Sequence, residues 1–139
     1  MNNYSSKPKV GKHKFSDIKV LIVDDQPEIR AMIREIMSDL GVKQIYEAPN
    51  GREALLFIDT DFDVVNFVIC DWNMPSMSGV DFLRQVRTVY PDLPFLMLTG
   101  RRDKNSVVQA REAGVTAYIC KPFSPGQLEE KMRILAPFA

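Results

Sequence analysis

The chain has 139 residues, enough for one domain with its own hydrophobic core and no need of disulfides or a structural metal. Its 18 basic side chains balance 18 acidic ones, which argues against a nucleic-acid-binding protein that relies on a strongly basic surface. One histidine and two isolated cysteines are too few for a zinc or iron–sulfur site, and no apolar stretch suits a membrane span or signal peptide, so we expect a cytoplasmic protein with reduced thiols.

Residues 1–16 are predicted to form a flexible, basic N-terminal tail. They are polar, contain Pro8 and Gly11, and show no hydrophobic periodicity. This segment has four lysines and no acidic residue, so residues 17–139, where we expect the domain, hold 14 basic and 18 acidic side chains. The folding part of the chain is therefore mildly acidic.

From Ile18 onward, short apolar runs alternate with segments of helical hydrophobic spacing. This is the pattern of strand–helix repeats that build a parallel sheet. Most of the runs are nearly continuous in apolar residues, as in strands that are covered by helices on both faces. The five predicted strands are Lys19–Val23, Gln44–Glu47, Val65–Cys70, Phe95–Leu98 and Ala117–Cys120.

Each predicted strand is followed by a predicted helix with recognisable end signals. These signals are side chains that cap a first turn, prolines that suit a first turn or stop a helix, and glycines that suit a left-handed end. We therefore predict an α/β fold of five strands and five helices. The signals, in chain order, are Pro27 and Gly41, Asn50, Ser78 and Pro91, a fourth helix from about Asn105 to Ala113 with Gly114 after it, and a capping box of Ser124 and Gln127.

Polar residues follow the carboxyl ends of four predicted strands: Asp24 and Asp25, Asp71, Thr99 and Lys121. In an open parallel sheet these ends meet at one edge, where ligands bind, so we expect the five side chains to share a cleft. Three close carboxylates repel one another, and one ammonium offsets them only in part. A divalent cation would relieve the repulsion, and Mg²⁺ prefers oxygen ligands such as carboxylates and phosphate.

Asp71 is the candidate nucleophile, because it stands alone at the end of a central strand. A carboxylate can accept a phosphoryl group as an acyl phosphate while a metal and a lysine neutralise the phosphoryl oxygens. The residues therefore indicate metal-dependent phosphoryl transfer.

Four segments carry a resemblance to a known family. In chain order they are LIVDDQP, ICDWNMPSMSG, FLMLTG and AYICKPF. With these segments the sequence resembles the receiver domain of two-component response regulators, most of all the single-domain chemotaxis type, over about residues 17–136. The resemblance implies a flavodoxin-like, doubly wound three-layer sandwich whose five-stranded parallel sheet has the order 2-1-3-4-5.

The resemblance also implies roles for the acidic residues. Asp71 would be the phosphoacceptor and a Mg²⁺ ligand. Asp25 would bind Mg²⁺ directly, Asp24 would bind it through water, and the backbone carbonyl of Asn73 would complete the protein ligands.

The residues after the last two strands receive roles by the same resemblance. Thr99 and Lys121 would each contact a phosphoryl oxygen, and the peptide between Lys121 and Pro122 would be cis. Tyr118 would be an aromatic switch that turns inward when Thr99 moves towards the phosphoryl group. The signal would then change the face formed by the fourth helix, fifth strand and fifth helix.

Two features depart from the usual pattern of the family. Gly100 follows Thr99 and should loosen the next loop, because it lacks a side chain. Arg101 and Arg102 come next, close to the expected phosphoryl position. Asn73 and Arg101 occupy variable positions that influence how long the acyl phosphate survives in this family, so we expect Arg101 to alter autodephosphorylation.

The resulting functional hypothesis is a signalling protein and not a turnover enzyme. It would accept phosphoryl from a sensor histidine kinase or a histidine phosphotransfer protein, and it would hydrolyse only its own acyl phosphate. The sequence ends soon after the fifth helix, so we expect no output domain and no direct DNA binding. Output would go to a downstream protein target, from a monomer or weak dimer.

Other interpretations remain open at this point. Taken alone, Asp24 and Asp25 would more often cap the helix that starts near Pro27. A haloacid-dehalogenase-type phosphatase also combines Asp, Thr and Lys with Mg²⁺, but it has an Asp-x-Asp pair where this chain has Asn73. A flavodoxin-like electron carrier would share the fold, yet the acidic pair would repel its FMN phosphate. A receiver without phosphorylation is disfavoured, because all the expected acidic, Thr and Lys residues are present.

Overall fold

A computed structural model describes residues 15–60 and 64–139 of the chain. Within these ranges five strands alternate with five helices, as the hydrophobic pattern predicts. The strands are β1 (Lys19–Val23), β2 (Gln44–Ala48), β3 (Phe67–Asp71), β4 (Phe95–Thr99) and β5 (Ala117–Cys120). The helices are α1 (Pro27–Leu40), α2 (Gly51–Thr60), α3 (Gly79–Val89), α4 (Lys104–Glu112) and α5 (Pro125–Leu135).

The five strands form one parallel sheet in the order β2-β1-β3-β4-β5, which confirms the predicted topology. β3 and β4 are buried along their whole length, whereas the edge strand β2 is partly exposed. The register pairs Asp71 with Leu98 and Thr99 with Cys120. The carboxyl ends of the three strands β3, β4 and β5 therefore meet at one edge of the sheet.

Helices cover both faces of the sheet and create two apolar clusters. Successive side chains of a strand point to opposite faces, so Phe67 and Ile69 face one cluster and Val68 and Cys70 face the other. The first cluster packs against α1 and α5, and the second packs against α2, α3 and α4. Full burial of each large apolar side chain contributes about 1.5–3 kcal/mol, which holds the three layers together.

The helix ends follow the signals in the sequence. Gly41 takes a left-handed conformation with φ of 103°, and its amide donates to the carbonyl of Ser38, so α1 ends there. The caps of α2, α3 and α5 are the predicted side chains: Asn50 accepts from the Glu53 amide, Ser78 from the Asp81 amide, and Ser124 from the Gln127 amide within a complete capping box.

Several element boundaries differ from the predicted ones by one or two residues, and β2, β3 and β4 each end one residue later than predicted, at Ala48, Asp71 and Thr99. α4 begins at Lys104, because the carboxylate of Asp103 caps it by accepting from the backbone and the hydroxyl of Ser106. β3 begins at Phe67 and not at Val65. Before it, the side chain of Asn66 accepts from the Lys19 amide at 2.7 Å, and the Asn66 amide donates to the Lys19 carbonyl at 2.9 Å.

The predicted N-terminal tail lies outside the described residues up to residue 14. Phe15–Asp17 form a short 3₁₀ turn, in which the Ile18 amide donates to the Phe15 carbonyl. The Phe15 ring packs against the first apolar cluster, with the Arg133 guanidinium 5.6 Å from its centroid. The folded domain thus includes the last two residues of the segment that was expected to be flexible.

No helix within residues 15–60 and 64–139 is both long enough and apolar enough to cross a membrane.

Candidate functional site

Three carboxylates meet at the carboxyl edge of the sheet. Asp24 follows β1 and is buried, Asp71 ends β3 and is buried, and Asp25 is exposed beside them. One oxygen of each carboxylate lies within 4.8 Å of the other two. The residues that the sequence singled out after these strands are therefore together in space. All the donor atoms are oxygens, a set that suits a hard divalent cation and disfavours soft metals.

Lys121 supplies a positive charge to this cluster from the end of β5. Its Nζ lies 3.4 Å from Oδ2 of Asp24 and 3.3 Å from Oδ1 of Asp71. Its backbone amide donates to the Thr99 carbonyl at 2.7 Å, and the Lys121–Pro122 peptide bond is cis. One ammonium faces three carboxylates, so the cleft keeps an excess of negative charge.

The surroundings of Asp71 oppose its ionisation. Burial raises the pKa of Asp71, the Lys121 ammonium lowers it, and the Asp24 carboxylate raises it again, with a net upward shift. The neighbouring Cys70 thiol is fully buried next to the same carboxylates, and its pKa is raised well above the ordinary value. Cys70 is therefore an unreactive thiol, whereas Asp71 would gain from a cation that stabilises its charged form.

Backbone contacts position Asp24. Its amide donates to the Ala48 carbonyl at 3.2 Å, and its Oδ1 accepts from the Gln26 amide at 2.9 Å. The N-cap of α1 is Gln26, and it has no side-chain cap. Neither Asp24 nor Asp25 is therefore the N-cap of α1, although Asp24 accepts from the amide of the N-cap residue, and Oδ2 of Asp24 lies 3.4 Å from Nζ of Lys121.

A glycine that sequence reasoning did not single out supports Asp71. The Gly79 amide donates to the Trp72 carbonyl at 2.7 Å, and a Cβ at Gly79 would overlap the Asp71 carbonyl oxygen. The start of α3 can thus approach the end of β3 only because residue 79 has no side chain. The signal in the sequence was the glycine that closes the ICDWNMPSMSG segment, directly after the capping Ser78.

Thr99 and Tyr118 are joined through the backbone of Arg101. Thr99 is fully buried, and its Oγ1 accepts from the Arg101 amide at 3.0 Å. The hydroxyl of Tyr118 donates to the Arg101 carbonyl at 2.7 Å, while burial raises the pKa of Tyr118. Thr99 therefore holds the amide and Tyr118 the carbonyl of Arg101 in the β4–α4 loop.

The Arg101 side chain crosses from the β4–α4 loop to the β3–α3 loop. Its Nε and Nη2 donate to Oδ1 of Asn73 at 3.3 and 3.1 Å, and its guanidinium lies 4.9 Å from the centre of the buried Trp72 ring. Arg102 turns elsewhere and donates to the Lys121 carbonyl at 3.0 Å. Of the two arginines, Arg101 is the one that contacts residues directly following Asp71.

Residues 20–133 match the response regulator receiver domain family. This match spans most of the chain and agrees with the sheet order and the acidic cluster, so the chain belongs to the receiver domains of two-component response regulators. The assignment favours a receiver over a haloacid-dehalogenase-type phosphatase and over a flavodoxin-like electron carrier.

Within this family the chain is similar to chemotaxis proteins. It is 40% identical to the chemotaxis protein CheY-3 of Vibrio cholerae, covering 84% of this chain and 89% of that protein. It is 38% identical to the chemotaxis protein CheY1 of Helicobacter pylori, covering 85% and 96%. The solved structure of the chemotaxis response regulator CheY4 of Vibrio cholerae superposes with a TM-score of 0.78 at 33% identity, covering 85% of this chain and 98% of that one.

Proposed function

We propose that this receiver domain is a phosphorylation-controlled signalling protein whose phosphoacceptor is Asp71. The observation that carries the proposal is the position of the Asp71 carboxylate, within 4.8 Å of two further carboxylates and 3.3 Å from the Lys121 ammonium. The donor would be a phosphohistidine of a sensor kinase or phosphotransfer protein. As the bond from the Asp71 oxygen to phosphorus forms, the bond from phosphorus to the histidine nitrogen breaks, and the imidazole leaves with that electron pair.

Mg²⁺ is the proposed cofactor. Asp25 and Asp71 would bind it directly, Asp24 through water, and the Asn73 carbonyl would add a fourth protein contact. The close carboxylates support this assignment, because a divalent cation removes their repulsion. When bound, Mg²⁺ would neutralise phosphoryl oxygens during transfer.

Thr99 and Lys121 would each stabilise an oxygen of the phosphoryl group. The Lys121 ammonium lies 3.3 Å from the Asp71 carboxylate. Thr99 ends the neighbouring strand β4, in which Leu98, the residue before Thr99, pairs with Asp71. Hydrolysis would follow when water attacks phosphorus, which releases inorganic phosphate and restores the Asp71 carboxylate. The protein would therefore catalyse only its own phosphorylation and dephosphorylation.

Tyr118 would transmit the phosphorylation state to the face formed by α4, β5 and α5. The support is its hydrogen bond to Arg101 in the segment that Thr99 also binds, because movement of Thr99 towards a phosphoryl group would displace that segment. A groove of about 410 Å³ on this face is lined by Tyr118, Gln127 and Ile134, among others. A downstream protein target would bind there, and the chemotaxis relatives make a chemotaxis pathway the first to test.

Arg101 would set the lifetime of the acyl phosphate. Its guanidinium contacts Asn73 and the Trp72 ring, which are the two residues that follow Asp71 in the chain. A cation at this place can pair with a phosphoryl oxygen or obstruct the approach of water.

We place this exchange in the cytoplasm, with the protein acting as a monomer or weak dimer without direct DNA binding. Cys70 and Cys120 are both free, which fits a reducing compartment.

The deciding experiment is incubation of the full chain with acetyl phosphate and Mg²⁺, followed by intact mass and by Trp72 fluorescence. Wild type should gain the mass of one phosphoryl group only with Mg²⁺ present, and Trp72 should report the change because it follows Asp71 in the chain. Asp71→Ala should gain nothing. Absence of a Mg²⁺-dependent gain in wild type, or the same gain in Asp71→Ala, would overturn the assignment and favour a receiver without phosphorylation.

A further inference from the structure

The loop between β1 and α1 carries two of the three clustered carboxylates, and a cation of the next helix reaches back to it. Nη1 of Arg30 donates to the backbone carbonyl of Asp24 at 2.6 Å. Two further bonds hold the same residue, from its amide to the Ala48 carbonyl and from the Gln26 amide to its carboxylate. The Asp24 peptide is thus fixed from several directions, with Arg30 lying on the side of α1.

Arg30 is in turn held in place by Glu47 of the edge strand β2. Nε of Arg30 donates to Oε1 of Glu47 at 3.0 Å, and Nε of Arg34 donates to Oε2 at 2.6 Å. Burial acts to raise the pKa of Glu47, but the hydrogen bonds from the two arginines outweigh it and lower the pKa, so the carboxylate is ionised. A planar guanidinium can bridge a carboxylate and a carbonyl in this way because its donors have a fixed geometry.

We propose that Arg30, oriented by Glu47, is a positioning residue for the Mg²⁺ site of the β1–α1 loop. The inference rests on the Mg²⁺ binding that is part of the proposed function. Three carboxylates without a cation repel one another and tend to spread the loop, and the Arg30 bond to Asp24 resists that displacement. Groups that orient metal ligands in this manner raise metal affinity without touching the metal.

The chain contains a matched control for the charge of Arg30. Arg34 shares the same Glu47 carboxylate, but its second bond goes to the Ile45 carbonyl at 3.1 Å and not to Asp24. If the arginines acted only through their positive charge, removal of either one would tighten binding of a cation. If Arg30 positions the loop, its removal weakens binding. The two explanations predict effects of opposite sign.

The test compares Mg²⁺ binding by the full chains of wild type, Arg30→Met and Arg34→Met, measured by calorimetric titration. We expect Arg30→Met to bind Mg²⁺ about tenfold more weakly, and Arg34→Met to bind it as tightly as wild type or slightly more tightly. Phosphorylation of Arg30→Met by acetyl phosphate should be slow at low Mg²⁺ and should rise towards the wild-type rate as Mg²⁺ is increased. A variant that is only less stable than wild type would not show this dependence of the phosphorylation rate on Mg²⁺ concentration.

Unchanged or tighter Mg²⁺ binding in Arg30→Met, or an equal loss in both variants, would overturn the role of Arg30. Arg30→Lys keeps the charge and replaces Arg30→Met if the latter does not fold. A lysine can bind the Asp24 carbonyl or Glu47, but it lacks the forked guanidinium that binds both. The Mg²⁺ affinity of Arg30→Lys should therefore fall between those of wild type and Arg30→Met. If Arg30→Met does not fold, an Mg²⁺ affinity of Arg30→Lys equal to that of Arg34→Met would overturn the proposal. A wild type that binds no Mg²⁺ would contradict the proposed function itself.

Discussion

The two sides of the acidic cleft are built differently. On the side of β1 and α1, Asp24 is fixed by three hydrogen bonds that involve its own amide, carbonyl and carboxylate. On the side of β4 and β5, Thr99 and Tyr118 hold Arg101 through one bond each, and a Cβ at Gly100 would meet nothing within 4 Å. The first side is suited to hold a ligand in fixed geometry, whereas the second has room beside Gly100, and its rearrangement would have to change the bonds that Arg101 makes with Thr99, Tyr118 and Asn73.

Lys121 joins the two sides, so its removal should have the largest effect. We expect Lys121→Met to slow phosphorylation by acetyl phosphate about a hundredfold at saturating Mg²⁺, because the transferring phosphoryl group loses a positive partner. The same change should tighten Mg²⁺ binding, since the ammonium no longer competes for Asp24 and Asp71. Intact mass against time measures the rate, and calorimetric titration measures the affinity.

The control for this prediction is Lys43→Met, which removes an exposed lysine before β2, at the opposite edge of the sheet. It should phosphorylate as wild type does. A wild-type rate for Lys121→Met at saturating Mg²⁺ would show that the ammonium takes no part in transfer.

Two glycines compare the start of α3, which packs against the end of β3, with the open loop after β4. Gly79→Ala should lower the free energy of unfolding by about 1–3 kcal/mol, because the new Cβ overlaps the backbone at Asp71. Gly100→Ala should leave stability nearly unchanged, since its Cβ would point into open space. Urea unfolding of the two variants measures the difference, and equal stabilities would contradict the contrast between the packed start of α3 and the open loop after β4.

The smallest of the three effects should come from Arg101, which bridges the open side to the residues after Asp71. Arg101→Ala should change the lifetime of the acyl phosphate several-fold, because the contacts with Asn73 and Trp72 are lost. Arg102→Ala is its matched control, since Arg102 binds the Lys121 carbonyl and should leave the lifetime close to that of wild type. The decay of the phosphorylated protein, followed by intact mass, measures this lifetime. An unchanged lifetime in Arg101→Ala would refute the role of Arg101 in acyl-phosphate hydrolysis.

The alternation of strands with helices and the meeting of the polar strand ends could both be predicted from the sequence. Apolar runs mark the buried strands, and parallel strands bring their carboxyl ends to one edge, so Asp24, Asp25 and Asp71 had to lie together. The helix ends were equally accessible, because a capping side chain such as Ser124 acts on neighbours within one turn. The start of β3 was harder to predict, because the side chain of Asn66 accepts from the Lys19 amide directly before the strand.

Hydrophobic periodicity, strand-end chemistry and caps thus sufficed for the fold class and for the acidic cluster, because each depends on short-range sequence and on the regular geometry of a parallel sheet. Contacts between loops required the folded chain. Arg30 reaching the Asp24 carbonyl, Arg101 bridging to Asn73, and Gly79 against Asp71 all depend on side-chain directions and on loop shapes that tertiary packing sets. The resemblance to the family singled out Arg101 rather than Arg102, but only the folded chain shows that the Arg101 side chain binds Asn73 while Arg102 binds the Lys121 carbonyl.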